Sequence, residues 1–268
     1  MRRFSKVFLS LAAAGILLLG TGCLDKINYL RARNELNRGV RAFSSADYES
    51  AVARFDGAIA LDPELLAARS YRASAFMMQY IPGGESDENR EIAKKAMEGF
   101  QDVVERNEGD EVALASIASL YFNMKQLEVA RDTYRELLKH HPKNKEAFYT
   151  IGVINWSITF PRDMEVRASL GMAPEDPGPI KDEEARAELA VEHLPLIEEG
   201  LEALNSAIEI DPEYDDAMAY VNLLYRQRAD IAESSEEYEK YNMMADEWVQ
   251  KSLETKKLKA DAAIQEFQ

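Results

Sequence analysis

The feature that most restricts how this chain can fold is a spacing. Small, aromatic and proline residues return in a fixed order, and each new unit begins three residues after the closing proline of the last, or after the residue that stands in its place. Residues 32–65 supply Gly39, Ala51, Phe55, Ala58 and Pro63, and residues 111–144 supply Leu114, Ile117, Ala118, Tyr121, Ala130, Tyr134, Leu137 and Pro142, each over 34 residues. The unit between them, 66–110, carries Ala73, Phe76, Ala96, Phe100 and Val103 and places Glu108 where the proline would stand. Residues 145–214 repeat the order with Phe148, Ile151, Gly152, Gly200, Leu204, Ala207 and Pro212, and 215–254 with Met218, Val221, Tyr225, Ala245, Val249 and Ser252. Small residues are required where two helices cross closely, larger ones fill the space between them, and a proline that cannot continue a helix separates one unit from the next.

Composition agrees with a helical reading. Hydrophobic residues make up 46% and charged residues 30% of the 268, and the chain is dense in the strong helix formers Ala, Leu, Glu, Lys and Arg. Few stretches alternate with the period of a strand, and the apolar content is too high for a disordered chain.

The pattern resembles the tetratricopeptide repeat, a 34-residue helix-turn-helix with a terminal proline. The resemblance covers residues 32–254 and implies an all-α fold: a right-handed superhelical array of about five helix-turn-helix repeats (32–65, 66–110, 111–144, 145–214 and 215–254), followed by a C-terminal helix or tail, 255–268. The second unit is 45 residues long and the fourth 70, so both carry insertions. The longer one, about 159–199, holds Pro161, Pro174, Pro177, Pro179 and Pro195. Its middle is expected to break from helix, with a short helix at 182–192, and a connection this long is either functional, as a lid, or tolerated. In the loop 81–89 either Ser86 or Asp87 can cap the next helix.

The first 22 residues form a different region. A basic start with Arg2, Arg3 and Lys6 leads into an apolar run, Val7 to Leu19, and then into Gly20, Thr21, Gly22 and Cys23. This is the layout of a secretory signal peptide, and the run is too short to span a bilayer comfortably. Leu19 to Cys23 resembles the lipobox of bacterial lipoproteins, with Gly20 departing from the commoner residue. That resemblance implies lipid on Cys23, a signal peptide of 1–22 and a tether of 23–31. Cys23 is the only cysteine, so it has no intramolecular disulfide partner. Leu24 stands where an Asp would retain a lipoprotein at the inner membrane, which leans the expected location to the periplasmic face of the outer membrane.

The formal net charge is -16, and the leader contains bases but no acid, so the remainder is more acidic still. Nucleic acid is thereby disfavoured as a partner: Lys256, Lys257 and Lys259 are the one short basic run. No catalytic residue, cofactor or metal is expected. His140 and His141 end a helix before Pro142, where a cation meets the negative end of the helix dipole. His193 has no His or Cys at ligand spacing, and Asp87 to Glu91 lacks the rest of a calcium loop. Phosphate loops, nucleophile elbows and paired-cysteine sites are missing.

In the repeat family the first helix of each pair lines the concave face. That implies a partner-binding row at the twelfth repeat position, Phe43, Met77, Phe122, Trp156 and Arg226, with Tyr149 beside it and small Ser70, Ser74, Ala115 and Ser119 between. Arg33 and Arg226 are the only cations in that register. The expected function is an envelope-anchored scaffold that binds a protein or peptide partner, in assembly or transport at the outer membrane. Two alternatives stand beside it: a small-molecule- or glycan-binding protein or enzyme that uses the groove and the Pro-rich insertion, and a self-associating structural lipoprotein. Residues 152–156 and 222–226 also resemble a group of bacterial envelope repeat proteins, some of which accompany TonB-type energy transducers.

Overall fold

The structure, a computed structural model, describes residues 26–266. Cys23 and its leader lie outside the described residues. All the regular structure among the described residues is helical. Helix α1 covers 26–44, and α2 (Tyr48–Leu61), α3 (Leu66–Met77), α4 (Asp87–Arg106), α5 (Glu111–Asn123), α6 (Leu127–His140), α7 (Lys145–Ser169), α8 (Glu183–Ile210), α9 (Asp215–Asp230) and α10 (Ser235–Glu266) follow. Within the units α1 pairs with α2, α3 with α4, α7 with α8 and α9 with α10, as the helix-turn-helix spacing predicts. Residues 26–31, read as tether from the sequence, already belong to α1, and α10 runs without a break to Glu266, through the residues read as a C-terminal helix or tail.

The chain divides into two compact units after Leu120. In the first, Ala32 and Leu36 of α1, Ala51, Phe55 and Ala58 of α2, and Leu65, Ala68 and Ala75 around α3 form one buried cluster. Gly39 is the contact point: a side chain there would run into the ring of Phe55. Gly99 of α4 does the same for Ala73 of α3, where an added Cβ would stand 2.8 Å from the alanine methyl. Ser86 caps α4 by accepting from the amide of Asn89 at 3.1 Å. The buried Asn89 side chain then secures the preceding loop, accepting from Ile81 N at 2.8 Å and donating to the carbonyls of Ile81 and Gly84 at 2.8 and 2.9 Å.

The second unit is organised around α7, which packs against both α8 and α9. Gly152 lies under Leu204 and Gly200 under Leu224, so the small residues of the repeat pattern are again where helices approach closely. Its core joins Val166, Ile180, Leu189, Ile197, Leu201, Leu204, Val221, Leu224 and Ile231.

This unit corrects the expectation for residues 159–199. Helix α7 passes through Pro161 and lasts 25 residues, and α8 passes through Pro195 and lasts 28, so there is no separate short helix at 182–192. A helix-interior proline removes one hydrogen bond and costs about 3 kcal/mol, but it ends a helix only where nothing else holds the chain. Here Thr159, Asp163, Val166 and Arg167 are all buried against neighbouring helices. The break is confined to residues 170–182 and is itself packed: Met172 and Ile180 are buried, and the Ile180 amide donates to the carbonyl of Asp230 at 2.9 Å.

Candidate functional site

The expected partner-binding residues fall into both units. In the first, Phe43 is half-buried and meets Tyr48 and Tyr71 edge-on, with ring centroids 5.5 and 6.1 Å apart. Leu66, Ala67, Ser70, Tyr71 and Ser74 of α3, with Asp110 and Val112, line an open groove of about 450 Å³. Met77 is half-buried at the end of α3.

In the second unit the rings gather. Tyr149, Trp156 and Phe160 lie along one side of α7, because spacings of seven and four return a side chain to nearly the same face. Tyr220 of α9 bridges them, with its centroid 5.7 Å from both Tyr149 and Trp156. Trp156 stacks on Phe160 at 4.8 Å, and Tyr149 meets Tyr214 at 5.0 Å. The result is one aromatic row, Tyr214, Tyr149, Tyr220, Trp156 and Phe160, spanning two consecutive first helices. Its rings stand partly in the core cluster and partly open, with Phe160 37% exposed.

Acids and bases meet at the Tyr214 end of this row, where Lys145 Nζ lies 5.2 Å from the Tyr214 ring and Lys256 Nζ 3.7 Å from Asp216. The Tyr214 hydroxyl donates to Glu146 at 2.6 Å, and Asp216 lies near enough to act on Tyr149, Tyr214 and Tyr220. Burial, the neighbouring Tyr220, Asp216 and Glu146 together push the Tyr149 hydroxyl up to about 12. Tyr214 is pushed higher still, by burial first and then by its bond to Glu146.

The row proposed from sequence is therefore only partly assembled. Tyr149 and Trp156 are joined, through Tyr220. Phe122 is half-buried, with Lys125 Nζ 5.9 Å from its ring. Arg226 donates to Asn222 at 3.0 Å, Asn242 at 3.3 Å and Asp246 at 2.7 Å. Arg33, the other groove cation, lies over the ring of Tyr29. Tyr214, Tyr220 and Phe160 stand outside the repeat positions that imply the concave row. Their signal was the aromatic at four residues from Trp156 and the tyrosines at the start of the next unit.

Behind the row runs a buried polar seam. Asn155, Thr159, Asp163 and Arg167 recur every four residues on α7, and all four are at most 2% exposed. Asn155 donates to the Leu196 carbonyl at 2.9 Å and to Glu199 at 3.0 Å while accepting from Arg131 at 3.2 Å. Thr159 donates to Gln227 at 2.8 Å. His193 Nδ1 stands 2.8 Å from Asp163 Oδ1. Arg167 binds Asp230 at 2.6 Å and reaches the carbonyls of Asp176 and Ala173 at 2.6 and 3.3 Å. Burial raises both acids, Asp163 against the pull of His193, Arg167 and Gln227, and Asp230 to about 6 against that of Arg167.

An Asp–His pair invites a catalytic reading, but neither side chain offers a face to a substrate: Asp163 is fully buried and His193 is 4% exposed. Among the described residues no group of three His, Cys, Asp or Glu is placed to hold a metal ion, and no helix is long and apolar enough to cross a membrane.

No family model and no curated protein matches the sequence. Solved structures do. A MamA protein superposes with a TM-score of 0.56 at 14% identity, over 86% of this chain and 94% of that one. MamA from Desulfovibrio magneticus RS-1, residues 41 to the end, gives a TM-score of 0.56 at 14% identity over 85% and 96%. At such identity the likeness is one of fold, and with the helix pairs and the register of small residues it makes this chain an all-helical repeat protein of the tetratricopeptide type.

Proposed function

We propose that this protein is an envelope scaffold, anchored through lipid on Cys23, that holds a segment of a partner protein against the aromatic row of its second unit. The observation that carries the reading is the row itself. Five rings from two consecutive first helices make one partly open surface, and aromatic side chains supply large contact area for little lost rotamer freedom. A segment laid across α7 and α9 would meet rings along its length and carboxylates, Glu146 and Asp216, at one end. The anchor reading rests on the leader and the single cysteine, and it places the scaffold at the periplasmic face of the outer membrane in assembly or transport.

A photo-crosslinking amino acid in place of Val153, between Tyr149 and Trp156 on α7, tests the row in intact cells. It is expected to trap a discrete protein adduct that the same group at the exposed Val129 of α6 does not. Equal adducts at both positions, or none at Val153, would overturn the assignment. The anchor has its own test: Cys23→Ser is expected to move the protein out of the membrane fraction washed at high salt, since without acyl chains only salt-reversible contacts with the bilayer remain.

A further inference from the structure

Helix α1 differs in charge from the rest of the chain. Residues 26–44 hold five bases, Lys26, Arg31, Arg33, Arg38 and Arg41, and one acid, Glu35, in a protein of net charge -16. Its inward face is the apolar one expected of a packed helix, with Ala32, Leu36 and Gly39 buried. The outward face is not simply polar. Ile27 and Leu30 are 46% and 66% exposed, and Lys26, Arg31, Arg38 and Arg41 stand around them in solvent. Successive residues turn by about 100°, which puts Ile27, Leu30, Asn34, Asn37, Arg38 and Arg41 on one side and Ala32, Leu36, Gly39 and Phe43 on the other.

The bases of this face are poorly neutralised. Glu35 serves two arginines at once, Arg38 and Arg54, each at 3.1 Å, and their hydrogen bonds hold its carboxyl below the usual range. Among the described residues no acid pairs with Arg31 or Arg41. Exposed apolar residues ringed by unneutralised bases are the face of a helix that lies in a lipid interface, the side chains of Ile27 and Leu30 entering the acyl boundary and the bases meeting anionic headgroups.

We propose that the outward face of α1 is a membrane-docking surface that lies on anionic lipid. The proposal rests on the membrane placement given above. Lys26 follows Cys23 by three residues, so a lipid on that cysteine would hold the start of this face within about 10 Å of the bilayer. The first repeat would then be fixed against the membrane by a surface and not only tethered by a chain.

The test uses the full chain carrying Cys23→Ser, so that no acyl group contributes, and sedimentation with vesicles of phosphatidylcholine alone or mixed with phosphatidylglycerol. A uniformly acidic protein would be repelled by the charged vesicles. The expected result is the opposite: tighter binding to the mixed vesicles, reversed by high salt. Each base beside an anionic surface adds about fivefold, so Lys26→Glu/Arg31→Glu/Arg41→Glu is expected to lose at least about tenfold of that binding with an unchanged melting temperature. Ile27→Ser/Leu30→Ser is expected to weaken binding to both vesicle types. Equal binding of the parent to both compositions overturns the proposal. So does a triple variant that keeps the preference, which would assign it to the bases of the leader. Because the chain is unlipidated throughout, a failure here is separate from a failure of the anchor, which Cys23→Ser reports in cells.

Discussion

Replacing Arg167 with Met takes away the buried cation that pairs with Asp230 while keeping most of the side-chain volume. Arg167 is 2% exposed, its partner Asp230 has a 17% exposed side chain, and the same guanidinium holds two carbonyls of the 173–176 turn. Removing one member of a buried ion pair strands the other, at a cost of about 3–5 kcal/mol. For a chain of this size each kcal/mol lowers the melt by about 2–4 °C, so the transition of the second unit is expected about 6–20 °C lower by circular dichroism. Hydrogen exchange gives a local readout, because the Ile180 amide, which donates to Asp230 O, is expected to lose protection with the turn. Two controls fix the cause. Part of the loss should return near pH 5, where Asp230 takes up a proton, and most of it in Arg167→Met/Asp230→Leu, where no charge remains. A melt within 2 °C of the parent with Ile180 still protected would refute the reasoning and make residues 170–182 independent of the seam.

Asp163 and Asp230 are both raised by burial, so the native state keeps protons that the unfolded chain gives up near pH 4. Stability of the second unit should therefore fall as pH rises from about 4 to about 6, by up to about 3 kcal/mol for Asp230, and urea titrations of Asp230→Asn should show a flatter profile. Asn89→Ala removes three hydrogen bonds that hold the 81–84 loop and should cost about 2–3 kcal/mol, with new proteolytic cleavage inside 81–86. Trp156→Ala is expected to weaken the trapped partner by about 2 kcal/mol and also to lower the melt by a few degrees, since Trp156 packs on the core; Phe160→Ala, more exposed, should weaken the partner with the melt nearly unchanged.

The repeat could be read from sequence because its restraints are local in kind. A small residue is demanded wherever two helices touch, as Gly39 under Phe55 and Gly152 under Leu204 show, and that demand recurs at a fixed interval. The aromatic row was half legible. Trp156 and Tyr149 stand at the expected repeat positions, but their meeting depends on Tyr220, 64 residues beyond Trp156. The polar seam was visible as a spacing yet not as a site, because charged residues on one helical face ordinarily mark solvent. Only the return of His193, Gln227 and Asp230 from other helices buries it. Pro161 and Pro195 misled for the converse reason: a proline reports the local cost of a helix, and here packing outweighs it.

The seam also decides alignment. Two apolar helix faces can slide past one another by a turn, about 5.4 Å, and still exclude water. The helices around the 170–182 turn cannot, because the same shift would take Asn155 from the Leu196 carbonyl, Thr159 from Gln227 and Arg167 from Asp230 at once. Hydrogen bonds that contribute little net stability when satisfied become expensive when broken together. A helix pair that outgrows its repeat is thus given one setting, like teeth on a rack, and the rings of Tyr149, Trp156 and Phe160 keep their place opposite Tyr220 only because α7 cannot slip.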